Sequence, residues 1–264
     1  MVSYGTLLTD SSGVEQRELA YYENLYGGDG AAHFSKPAVV AFREYLVARI
    51  RRAAGLRPSA RVLSIGCGVG DTELLLAQSV AHVTGIDLSP AAVRQARYAA
   101  EAKRAGNVRF LEASWPTVRL DGETFDAVIA VFFLHHLPDD DLAAFPRQVF
   151  PLLRPGGPFY ALEPSTRRLS GYVGKLLVPA LMKKYQTEDE RQLRPTSTAG
   201  LFRQAGFDSR TRWFDFCSTP LAGLFPSWRS GYRAARLLDG ALTAAPGLRA
   251  LSSNFELIAR RPES

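Results

Sequence analysis

The sequence predicts an α/β fold, a doubly wound parallel sheet with helices on both faces. Three observations predict it. Short apolar runs alternate with stretches of helical periodicity from residue 58 to beyond residue 160, the pattern of strands joined by crossover helices. Residues 125–132, FDAVIAVF, are nearly continuous in apolar side chains, as a strand buried on both faces should be. A glycine-rich turn, Gly66-Cys67-Gly68-Val69-Gly70, stands between the first apolar run and the helix after it, where such sheets bind their ligands.

The elements follow in order. Ser35-Lys36-Pro37 opens a helix, with Ser35 as its expected cap. Val39, Val40, Phe42, Leu46, Val47 and Ile50 recur on it at helical spacing, and it ends near Gly55. A first strand covers 62–65. Asp71 is placed to cap a helix over 71–80, and a strand follows at 82–86. Ser89-Pro90 starts a helix over 90–103, closed by Gly106. Strands at 108–111 and 125–132 precede a helix over 139–153. Pro155-Gly156-Gly157 turns into a strand at 159–162. Gln204 to Phe207 ends a further helix and enters a strand running to about Phe216, and residues 254–260 form the last strand. Gly66, Asp87, Ser114 and Phe132 all fall at the C-terminal ends of predicted strands.

The turn and the second strand together indicate an adenosine-containing ligand. Glycine lets the backbone approach a ligand closely, and the helix start beyond it offers unpaired N–H groups. Asp87 ends the second strand, 21 residues after Gly66, where a carboxylate can accept from both hydroxyls of a ribose. A dinucleotide fingerprint would need G-x-G-x-x-G. Position 71 is Asp, so the third glycine is absent and a pyrophosphate would lie beside a carboxylate. A sulfonium carrying an ammonium group suits that acidic neighbourhood better.

VLSIGCGVGD at 62–71, VTGIDLS at 83–89, FDAVIAVFFLHHLPD at 125–139 and LLRPGGPFYALEPS at 152–165 resemble the successive motifs of the class I S-adenosylmethionine-dependent methyltransferases. Order and spacing match over residues 60–165, and more loosely to about 215. The resemblance implies a Rossmann-like, seven-stranded, mostly parallel sheet whose last two strands pair as an antiparallel edge. It implies a core domain at 58–264, with substrate-covering helical insertions at about 165–195 and 217–252. Residues 1–57 would be a helical lid segment, with Tyr21 or Tyr22 closing over the cofactor or simply packing in a surface helix. S-adenosylmethionine is the implied cofactor. Its site would be built from Ser64, Gly66, Cys67, Gly68 and Gly70, then Asp87 and Leu88, then Ala113, Ser114 and Trp115, with Val131 opposite.

Two positions depart from the family pattern. Ser64 stands where relatives usually carry Asp or Glu to hold the cofactor's amino-acid end, and Asp71 is the nearby carboxylate that can compensate. Ser114 stands where the family often has Asp, accepting from the adenine amino group. Trp115 can stack on adenine or pack in the surface, whereas Glu112 alternates to the other face.

Methyl transfer asks the protein to align a nucleophile, exclude water and sometimes take a proton. His136, then His135, are the candidates for the base, because histidine titrates near neutral pH. The alternative for either is a structural role. Glu163 can orient a substrate group or pair with Arg167 or Arg168. No Cys or carboxylate cluster has metal-ligand spacing, so no metal is expected.

With 46% hydrophobic and 22% charged residues the chain reads as a globular protein. The longest apolar runs are too short to span a bilayer, and the first residues lack the pattern of a signal peptide. Two cysteines do not suggest a disulfide framework, so a cytoplasmic location is expected. The net charge of +6 comes from scattered arginines, without a basic block or a nucleic-acid motif. Nucleic acid is therefore not an expected partner. Residues 165–195 and 217–252 read as amphipathic helices with basic edges, suited to a core face, a lipophilic pocket or an anionic membrane surface. The expected substrate is a small, hydrophobic molecule. The competing readings are a cofactor-binding module without catalysis and an NAD-dependent oxidoreductase.

Overall fold

The computed structural model describes residues 13, 16, 17, 19, 20, 23, 31–115, 117–120, 122–171 and 192–263. Its centre is a seven-stranded sheet in the order β3-β2-β1-β4-β5-β7-β6. The strands are β1 (Arg61–Ile65), β2 (His82–Asp87), β3 (Val108–Glu112), β4 (Ala127–Val131), β5 (Pro158–Pro164), β6 (Asp208–Asp215) and β7 (Asn254–Arg260). β7 runs antiparallel to both β5 and β6, and the other neighbours pair in parallel. The last two strands thus pair as expected, but β7 inserts between β5 and β6. Burial explains the order. β7 is buried at every position up to Arg260, as a central strand must be. β6 alternates exposed and buried residues and carries Asp208, Arg210 and Arg212, charges that keep an edge from pairing with another chain.

The helices are α1 (Pro37–Ala54), α2 (Asp71–Leu76), α3 (Pro90–Ala102), α4 (Asp139–Val149), α5 (Pro195–Gln204), α6 (Ser218–Leu224) and α7 (Arg229–Ala244). Ser89 caps α3 as predicted, its Oγ accepting from Ala92 N at 3.1 Å. Ser35 does not cap α1. Lys36 holds that position without a side-chain bond, and the Ser35 hydroxyl donates to Ala32 O. α2 is shorter than the predicted 71–80, and its cap is Gly70 in a left-handed conformation rather than Asp71. β4 is also shorter, because Phe125 leaves the strand to bridge Leu153 and the chain turns at Phe132.

Alternating side chains of β5 feed two cores. Phe159 and Ala161 pack with Phe125, Phe145 and Phe202 beneath α4 and α5. Tyr160 and Leu162 pack with Leu46, Ile50 and Phe214 beneath α1. Each fully buried phenylalanine contributes about 2–3 kcal/mol of apolar burial. The segment 217–252 forms the expected amphipathic helices. The α7 face carrying Tyr232, Ala235 and Asp239 is buried. Arg236 of α7 lies over the Tyr45 ring of α1 at 3.9 Å, and Asp239 accepts the N–H groups of Phe216, Cys217 and Ser218 at the start of α6. That face is core. Of the segment 165–195, residues 172–191 lie outside the described residues, as do Tyr21 and Tyr22. No helix among the described residues is long and apolar enough to cross a membrane.

Candidate functional site

The glycine turn joins β1 to α2 in a conformation that side chains resist. Gly66, Gly68 and Gly70 have φ of 70°, 52° and 74°. A Cβ on Gly66 would lie 2.6 Å from Phe133 Cδ2, and one on Gly70 would lie 2.5 Å from Phe110 Cζ. Both strain and overlap therefore exclude larger residues. Four N–H groups of the turn are engaged internally. Gly66 and Cys67 donate to Ile86 O, Gly68 donates to Asp87 Oδ2, and Gly70 donates to Cys67 O. Thr72 N at the helix start donates to Asp71 Oδ1. Those five N–H groups are therefore not the free donors expected of the turn and the helix start. The Cys67 side chain points into a small core with Leu74, Val93 and Phe110, so its thiol is not offered at the surface of the turn.

Asp87 sits at the C-terminal end of β2, half-buried. Its carboxylate accepts from Gly68 N at 2.7 Å and from Ser89 N at 3.0 Å. Burial pushes its pKa up, while those two N–H groups and the charge of His136 pull it back. Leu88 follows at the rim, half-buried. Ala113 is brought beside them, its N–H donating to Asp87 O at 2.9 Å.

Ser64 ends in a contact that sequence reasoning missed. Its hydroxyl donates to Glu73 Oε1 of α2 at 2.6 Å. Ser64 and Glu73 are both 2% exposed. Burial, then the neighbouring Asp71 charge, pushes the Glu73 pKa up to about 7 against the pull of the Ser64 hydroxyl, its own backbone N–H and Arg43. Asp71 does not stand free to compensate for Ser64, because it forms an ion pair with Arg43 of α1 at 2.7 Å. The missed signal was a glutamate three residues past the turn, on a helix whose first turn must face the end of β1.

Beyond β3, the Ser114 hydroxyl donates to the adjacent Trp115 O at 3.3 Å. Trp115 is turned to α4: its indole N–H donates to Gln148 Oε1 at 2.9 Å, and its ring lies 5.3 Å from Phe145. These are the contacts of a packing residue. Val131, half-buried, ends β4 on the opposite side of the strand ends.

The turn after β4 is built around a buried carboxylate. Phe132 adopts φ 54°, a strained conformation for a bulky residue. It is held by its N–H to Leu162 O and by the Phe42 ring stacked at 6.3 Å. Glu163 of β5, fully buried, accepts Phe133 N at 3.1 Å and Leu134 N at 2.8 Å through Oε1. Its Oε2 lies 2.7 Å from His135 Nδ1. Glu163 therefore pairs with neither Arg167 nor Arg168 as expected; its carboxylate is turned inward to this loop. His135 is 6% exposed, and the His136 ring lies against it at 4.0 Å. His136 is the more exposed of the two and acts electrostatically on Asp87.

The Glu73 carboxylate against β1, Asp87 at the end of β2 and the absence of a G-x-G-x-x-G turn fit a cationic adenosyl amino acid better than a phosphate ester. Residues 62–157 match a family model described as a methyltransferase domain. The chain is 33% identical over 165 residues to a ubiquinone biosynthesis O-methyltransferase of Aromatoleum aromaticum, covering 61% of this chain and 68% of that protein. It is 32% identical over 166 residues to a protein of the same description from Methylocella silvestris, covering 57% of this chain and 64%, less than two thirds, of that protein. Among solved structures, magnesium protoporphyrin IX methyltransferase from Synechocystis with bound SAH superposes with TM-score 0.60 at 19% identity, over 95% of this chain and 97% of that one. At that identity the likeness is one of fold.

Proposed function

Since this chain belongs to the class I S-adenosylmethionine-dependent methyltransferases, we propose that it methylates a small, hydrophobic acceptor through a hydroxyl group. The cofactor supplies an activated methyl group when bound. The chain's own residues hold it, align the acceptor and take up a proton. Asp87 accepts from the ribose hydroxyls, the glycine turn lies against the ligand with its backbone, and Leu88, Ala113, Ser114 and Val131 complete the adenosine side.

The observation that carries this reading is the Phe132–His136 turn, with His135 held by Glu163 and the His136 ring packed on His135, close enough for its charge to act on Asp87. A neutral hydroxyl must lose a proton as it becomes a nucleophile, and the half-buried His136 is the less buried of the two imidazoles there. His135 positions the turn. The half-buried rings of Phe132 and Phe133 favour an apolar acceptor, and the relatives described as O-methyltransferases favour an oxygen nucleophile.

The N-terminal segment serves as the lid. Glu23 Oε1 accepts from both Ser89 Oγ and Ala91 N at 2.7 Å, which holds Glu23 at the start of α3, two residues past Asp87. Phe225, Trp228, Leu237 and Leu238 are exposed on α7 and the turn before it, with Arg233 nearby; they would carry a peripheral contact with an anionic membrane. Loss of binding to anionic vesicles at low salt would exclude that contact. Two unpaired cysteines suit a reducing, cytoplasmic compartment.

The test is transfer of a labelled methyl group to phenolic, amine and carbon-acid acceptors of similar apolarity. Transfer to the phenols, lost in His136→Ala without loss of fold, supports the proposal. Equal rates in wild type and variant would remove His136 as the base, and transfer to amines alone would replace the hydroxyl acceptor.

A further inference from the structure

We propose that Glu73, from the first turn of α2, supplies the carboxylate that receives the cofactor's ammonium group, replacing the acidic residue absent at position 64. The inference rests on the cofactor reading above. It begins with what Ser64 lacks. A hydroxyl at the end of β1 brings no charge, and this one is turned away from a ligand role because it donates to Glu73 Oε1 at 2.6 Å. That bond fixes the Glu73 carboxylate against the strand end where relatives carry their own.

The second oxygen is the stronger argument. Glu73 Oε2 is buried and has no hydrogen-bond partner among the described residues. Buried polar atoms are almost always paired, so each exception calls for an explanation. Protonation does not provide one, because an O–H at Oε2 would itself be an unpaired donor. A cation delivered by the ligand does. The neighbouring carboxylates are engaged: Asp71 with Arg43 and Thr72 N, and Asp87 with Gly68 N and Ser89 N. Glu73 alone of the three keeps an oxygen without a partner.

A second consequence is proton-coupled binding. Glu73 faces Asp71 on its own helix, Arg43 on α1, and Cys67 on the glycine turn, whose thiol burial keeps neutral. In this setting its pKa lies near 7. An arriving ammonium favours the carboxylate form, so binding at neutral pH releases a proton from Glu73.

Calorimetry tests this with S-adenosylmethionine, its decarboxylated analogue, which keeps the ammonium, and 5′-methylthioadenosine, which lacks the amino acid. In Glu73→Gln the first two should weaken roughly 10- to 100-fold while methylthioadenosine is unchanged. Wild type should show a proton release at pH 7, read from buffers of different ionisation enthalpy, that the variant loses. The exchanged pair Ser64→Asp with Glu73→Ser should restore the affinity, which separates recognition from loss of fold. Equal weakening of all three ligands, or none, would overturn the inference. Failure of folded wild type to bind S-adenosylmethionine would instead overturn the cofactor reading, and the inference with it.

Discussion

The fully buried Glu163 carboxylate holds His135 Nδ1 at 2.7 Å while accepting the backbone N–H groups of Phe133 and Leu134. One side chain of β5 thus shapes the loop that follows β4 and sustains the strained Phe132. Glu163→Gln keeps one accepting oxygen and puts a donating NH2 group where the other stood. We expect a loss of about 2–4 kcal/mol, seen as a fall of several degrees in melting temperature, together with a lower kcat. An unchanged melting curve would show that the carboxylate is dispensable.

The two histidines separate by what each substitution disturbs. His135→Ala empties a buried position beside Glu163 and should mainly lower stability. His136→Ala removes the less buried ring and should lower kcat roughly 100-fold or more, with a smaller fall in melting temperature than His135→Ala. Parallel losses of stability in both variants would assign both rings to structure.

Asp87→Asn tests the ribose contact. An amide oxygen can still accept one N–H of the turn, so the fold should persist. Losing a charged acceptor should weaken cofactor binding by about 1.5–3 kcal/mol, or roughly 10- to 100-fold, in equilibrium titration. Undiminished affinity would place the ribose elsewhere.

Glu73 gives the ligand-free protein a pH dependence of defined sign. Its pKa rises from the ordinary 4.5 to about 7 on folding. Between those values the folded state binds more protons than the unfolded chain. Stability is therefore full below the lower value and declines as pH rises through the window, by at most about 3 kcal/mol. Glu73→Gln should flatten that decline in urea melts between pH 5 and pH 8, and a parallel slope in both proteins would assign it to other groups.

Glu256, buried at the centre of β7, binds Arg49 of α1 through Oε1 at 3.0 Å and receives the Tyr160 hydroxyl at 2.9 Å. Breaking a buried pair from one side costs about 3–5 kcal/mol. Glu256→Gln should therefore lower the melting temperature strongly while leaving the KM for cofactor near wild type. A selective rise in KM would tie this network to the site.

Local chemistry made most of the strands, the capping serine of α3 and the glycine turn with Asp87 legible in the sequence, because each rests on neighbours a few residues apart. The seventh strand was read to its bounds, Asn254–Arg260, since its apolar run ends in arginines. Its place between β5 and β6 was not readable, because a strand's neighbours depend on which partners bury both its faces. The same holds in the site. Glu73 meets Ser64 only when α2 folds back on β1, and Glu163 meets His135 only when β5 lies beside β4, 28 residues away in the chain. Trp115 could stack or pack until α4 brought Gln148 and Phe145 to it. Spacing along the chain determined the ligand class and the glycine geometry. Tertiary packing alone decided which carboxylates were satisfied, because whether a buried charge has a partner is set by distance in space rather than in sequence.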